Sequence, residues 1–125
     1  MAEAYEKPIL SIPVDTAADM TAHIGKVILA DGTLQTSAGA GGYGILVDAH
    51  SQAVSTDTVI AIGVARCIAG AAITAGARVS NDNAGLVVAA TAGDVVIGIA
   101  LQTAGNANEI IAVGVDFFAQ GEVNS

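Results

Sequence analysis

A two-residue periodicity runs through this chain, and it alternates in side-chain size rather than in polarity. In residues 59–68 one face carries Ile60, Ile62, Val64, Arg66 and Ile68, and the other carries Val59, Ala61, Gly63, Ala65 and Cys67. The division returns in residues 95–101, with Val95, Ile97, Ile99 and Leu101 against Val96, Gly98 and Ala100. It returns again in residues 111–117, with Ile111, Val113, Val115 and Phe117 against Ala112 and Gly114. Successive side chains of a strand point to opposite sides of a sheet, so each segment reads as a strand with one bulky and one small face. The bulky faces are expected to fill a barrel interior. Small apolar faces suit the close approach of another backbone, either a second layer of the same chain or a neighbouring subunit. A chain of 125 residues has few elements with which to cover both faces. A closed homo-oligomer is therefore expected, with Ala61, Gly63, Ala65, Gly98, Ala100, Ala112 and Gly114 as interface candidates.

Turn signals divide the rest at intervals of roughly ten residues, the spacing of a small sandwich or barrel. Asp31-Gly32 predicts a two-residue hairpin of type I′ joining residues 24–30 to 33–36. Asn81 to Gly85 predicts a turn between residues 77–80 and 86–90, and Thr103 to Asn108 one between 95–101 and 109–118. Residues 1–20 differ: Pro8 and Pro13 bracket Ile9, Leu10, Ser11 and Ile12, and each proline favours an extended predecessor. The expectation is an all-β chain, with an extended N-terminal arm (1–20), a barrel- or β-tulip-like body (21–118) and a C-terminal tail (119–125). Asp15, as a helix cap, and Asp19 predict a short helix at the root of the arm. The strings Ile62-Gly63-Val64-Ala65 and Ile97-Gly98-Ile99-Ala100 echo one another, but such strings recur by chance in a chain with 26 Ala, 15 Gly, 14 Val and 13 Ile.

The net charge of −8 and four scattered cations, Lys7, Lys26, Arg66 and Arg78, oppose nucleic-acid binding. One cysteine, Cys67, excludes an intramolecular disulfide and reads as a buried hydrophobe. Residues 59–77 are apolar enough to suggest a membrane span. Arg66 at their middle costs about 2.5–3.5 kcal/mol there, and three glycines favour strand, turn, strand. The first residues lack the pattern of a secretory leader, so synthesis in a cytoplasm is the expectation.

Chemical motifs are weak. Gly39 to Gly44 (GAGGYG) formally matches a dinucleotide fingerprint, but a strand-like Ile45-Leu46-Val47 follows where a helix is needed, so a loop between strands is expected. Asp48 and His50 stand two apart, on one face of a strand, without further metal-ligand spacing. No serine lies in a G-x-S-x-G turn. No enzyme, cofactor or metal is expected.

The run Gly70-Ala71-Ala72-Ile73-Thr74-Ala75-Gly76-Ala77-Arg78-Val79, followed by Ala84-Gly85-Leu86-Val87, Val96-Ile97-Gly98-Ile99-Ala100-Leu101 and Ile110-Ile111-Ala112-Val113, resembles the capsid cement (head decoration) proteins of tailed bacteriophages. Asn108-Glu109 stands where that pattern has Gly-Glu. The resemblance implies a non-enzymatic virion protein on the capsid exterior, a homotrimer that binds the major capsid protein and clamps adjacent subunits. The arm residues Ile9, Leu10, Ile12 and Val14 are the capsid-binding candidates, and strand addition to a capsid sheet edge is the expected mode. The alternative is a glycan- or surface-binding β module of a tail or spike, for which the absence of Trp is unfavourable.

Overall fold

The computed structural model describes residues 6–50 and 55–118, so the tail (119–125) lies outside the described residues. The class is all-β, as expected. The strands are β1 (Lys7–Thr16), β2 (Val27–Ile28), β3 (Gly44–Asp48), β4 (Ser55–Ile68), β5 (Arg78–Asn81), β6 (Val87–Ala89), β7 (Gly98–Ala100) and β8 (Ile110–Asp116). A single 3-10 turn at Thr21–His23 stands where a short helix was expected, and Asp19 rather than Asp15 receives its N–H, from Thr21 at 3.0 Å. Among the described residues no helix is long and apolar enough to cross a membrane. The apolar run 59–77 is the end of β4 and the turn that follows it.

One sheet runs β2-β3-β4-β8-β7-β5-β6, with β1 added to β4. It nearly closes on itself. Ala69, just past β4, bridges to Val87 of β6, Gly70 N–H donates to the Val87 carbonyl at 2.8 Å, and Val27 N–H donates to Gly85 O at 2.8 Å. Ile45, Ile60, Ala65, Cys67, Val79, Ile97, Ile111, Val113, Val115 and Phe117 fill the interior. The bulky face of β8 thus points inward, as its alternation predicts.

The turns fall where the sequence places them. The 31–32 hairpin differs in type: Gly32 has φ +84° but Asp31 is not left-handed, and Gly32 N–H donates to Leu29 O. A three-residue loop results, held by the Asp31 carboxylate accepting from Thr33 N–H and Oγ1–H. At 82–85 the Asp82 carboxylate accepts from the amides of Ala84 and Leu86. The 39–44 segment is an interstrand loop, tied to Asn81 through Gly39 and Gly41 N–H.

The larger departure lies in β4. Ile60 points into the barrel while Val59 points to a second layer with Val14, Met20, Ile28 and Leu46. Beyond them Ala65 and Cys67 occupy the interior, so the inward parity changes from even to odd. The cause is one extra residue. Ser11 pairs with Ile60 and Leu10 with Ile62, leaving Ala61 unopposed in β1, and Gly63 follows at φ +130°. A one-residue slip turns every later side chain to the other face. Ile62, Val64, Arg66 and Ile68, expected inside, therefore lie on the outside.

Candidate interaction surface

Residues 7–16 of the arm are extended, and they lie on the chain's own β4, antiparallel from Lys7↔Val64 to Thr16↔Ser55. The even side chains of β1 turn to the body because β4 needs a second layer there. Val14 is buried, Ile12 packs against the second cluster and Leu10 is half-buried, whereas Ile9 is 78% exposed. Of the four arm candidates, Ile9 alone faces outward. Residues 7–16 thus add a strand to the chain's own β4.

The root of the arm is fixed by a residue that the sequence reading did not single out. Asp57 is fully buried, and its carboxylate accepts from Thr16 Oγ1–H at 3.2 Å and from His50 N–H at 3.1 Å. His50 Nδ1 lies 3.2 Å from the same carboxylate. His50 thus turns to Asp57 and not to Asp48, which is exposed at the end of β3 beyond an extra residue, Val47. Among the described residues no cluster of His, Cys, Asp and Glu could hold a metal ion.

The small-face candidates divide. Ala61, Ala65 and Ala100 are buried within the chain itself, and Gly63 is buried beneath β1. A Cβ on Gly63 would lie 2.5 Å from Lys7 O and 2.6 Å from Ile9 N. Of the two sources expected for a close backbone approach, the same chain or a neighbouring subunit, it is the chain's own arm that supplies it at Gly63. Gly98 pairs with the inward residues Val79 and Val115, and a Cβ on it would collide with the Gly114 carbonyl. Ala112 and Gly114 lie on the outer side of β8, with Ala112 completely covered and Gly114 open: its Cβ would meet nothing nearer than 3.8 Å.

The outer side around Gly114 is largely apolar and has no second layer among the described residues. Val64, Gly114 and Ile99 form one row across β4, β8 and β7, flanked by Ile62 opposite Asp116 and by Arg66 opposite Ala112. The exposed large hydrophobics are Ile9, Ile24, Ile99, Leu101, Ile110 and Phe118. The first five line this face or its rim. Two open grooves of about 370 and 290 Å³ flank Gly114: one runs between Lys7, Ile9, Ile62 and Val64, and the other between Arg78, Val96 and Ile99. Strand spacing and rise over residues 62–68, 98–100 and 110–116 make this area roughly 280 Å² in projection. A contiguous apolar patch of a few hundred Å² on a monomer commonly marks a contact site.

No protein-family pattern matches the chain, and no curated protein sequence matches it. Its fold is similar to that of the N base of the head fiber gp8.5 of bacteriophage phi29. The TM-score is 0.62 at 13% identity, over 86% of this chain and 94% of that one.

Proposed function

We propose that this chain is a structural virion protein that binds the outside of a phage capsid as a homotrimer and stabilises the lattice by clamping adjacent major capsid protein subunits. The observation that carries the reading is the nearly closed barrel similar to the phi29 head-fiber base, bearing an outer sheet face that no other described residue of the chain layers over. The cement-protein resemblance of residues 70–113 supports the same reading from sequence. An acidic surface suits the solvent side of a DNA-filled shell, since like charges repel. Three linked copies would gain roughly a hundredfold to ten-thousandfold in avidity over one if their spacing matched the lattice. No catalytic role enters this reading.

In this reading the outward row of β1, with Ile9 the one large apolar side chain, meets the capsid. Truncating the arm would strip Leu10, Ile12 and Val14 from β4, so a point change is the cleaner test. Co-sedimentation with expanded, undecorated capsids should retain the wild-type protein. Ile9→Asp should remain folded and, compared at the same oligomeric state as the wild type, bind at least tenfold more weakly. Failure of the wild-type protein to sediment with any such capsid refutes the reading.

A further inference from the structure

We infer that the bare outer face of β4, β8 and β7 is where one copy of this chain packs against the next. The inference rests on the reading of the protein as an assembling virion component, and it goes further by assigning the contact to side chains. β4 is covered unevenly. Val14, Met20, Ile28 and Leu46 layer over its first half, whereas among the described residues no second layer lies over its second half, where Ile62, Val64 and Ile68 are half-buried.

Charge selects the occupant. The chain carries −8, so two copies repel across most orientations. Lys7, Arg66 and Arg78, three of its four cations, line the grooves of this one face, together with Glu6 and Asp116. Arg66 reaches Glu6 at 3.8 Å. The other acids among the described residues, from Asp15 to Glu109, line none of these grooves. At physiological ionic strength charges act over about 8 Å, so the charges at the contact decide the approach. This face, with three cations and two acids, is where a second acidic copy meets the least repulsion and finds cations for its own carboxylates.

Shape agrees. Gly114 is a dent between Val64 and Ile99, open to solvent, with a groove on either side. Ile110, 56% exposed, and Ile24 project from the rim by Arg66 and supply apolar side chains of a size to enter such a groove. The contact would be heterologous, with the rim of one copy in the groove of the next, which is the form a closed ring requires.

The test is native mass measurement of the full chain at about 20 µM, with circular dichroism as the check on folding. The wild-type protein should run as a closed multiple of 12.2 kDa. Ile99→Asp and Ile110→Asp, both at exposed positions, should dissociate it at least tenfold more readily with an unchanged spectrum. Arg78→Glu, a surface change that burial does not constrain, should do the same even if an apolar site proves intolerant. Lys26→Glu, the cation off this face, should not. An oligomer indifferent to all three face variants overturns the inference and leaves the functional reading standing. A monomeric wild-type protein overturns both.

Discussion

Gly63 is the residue on which the geometry of β4 turns, and Gly63→Ala makes that dependence measurable. Two costs add. The backbone at φ +130° is a conformation that a residue with a Cβ adopts only at about 1–3 kcal/mol. The new methyl would also stand 2.5 Å from Lys7 O and 2.6 Å from Ile9 N, where ordinary contact begins near 3.4 Å, so β1 must retreat by most of an ångström. That retreat loosens the cover that Leu10 and Ile12 give to the second layer. Together the terms come to about 2–4 kcal/mol, which for a domain of this size is a fall of roughly 8–16 °C in Tm. Gly76→Ala is the internal control. Gly76 has φ +92° but nothing within 4 Å of its Cβ, so only the backbone cost applies, about 1–2 kcal/mol, and Tm should fall by roughly 4–8 °C. Both variants should be scanned by calorimetry at one protein concentration, because assembly shifts apparent stability. Equal shifts in the two variants would refute the account, since the clash with β1 would then contribute nothing.

Other consequences are simpler. Asp57→Ala removes the buried acceptor shared by Thr16 and His50 and should cost about 2–4 kcal/mol in urea denaturation, with faster hydrogen exchange along β1 as the local sign. Cys67 should not react with a thiol reagent until the chain unfolds, because complete burial, reinforced by Glu6, pushes its thiol well above the usual range; rapid native labelling would contradict its place in the core. Burial first, and the Lys26 charge second, hold His23 below its ordinary pKa of 6.5. The neutral ring therefore favours the folded state: its contribution is complete above pH 6.5, and falls as the unfolded chain takes up the proton first. Tm measured from pH 7.5 to 5 should decline slightly more for wild type than for His23→Gln.

The strands and turns were legible because β-branched runs and Asp, Asn and Gly punctuation act locally. Which faces of β4 and β7 point inward was not: in β7 Ile99, and after it Leu101, expected inside, are exposed while Ala100 is in the core. Alternation assigns faces only while pairing stays regular, and the single extra residue Ala61 reverses every assignment after it in β4. Gly63 in the middle of a β-branched run was the available signal, since an isolated strand glycine marks a bulge or a close backbone approach. On β8, where no residue is inserted, the same reasoning placed Val113 and Val115 inside and Gly114 outside. Asp57 was missed because its partners, Thr16 and His50, are brought to it by the pairing of β1 and by the connection between β3 and β4. Thr56-Asp57-Thr58, polar residues opening a long apolar strand, was the trace it left.

The placement of β1 also bears on how a partner is held. Added to β4 along one side, β1 leaves its other edge unpaired by any strand among the described residues, which at first suggests a template for strand addition. Its sequence opposes that. Pro8 pairs with Gly63 and Pro13 with Thr58, so the ring nitrogen of each must face the free edge, where two of ten positions then offer no donor. The extra residue at Ile9 bends the strand between them. Prolines and bulges of this kind keep a sheet edge from recruiting another chain. A partner reaching this side must therefore be held by side chains more than by a backbone ladder, and the two modes separate experimentally. Binding through a ladder would tolerate Ile9→Asp, because the amides and carbonyls remain in place. Binding through the outward row would not, because Ile9 is its one large apolar side chain.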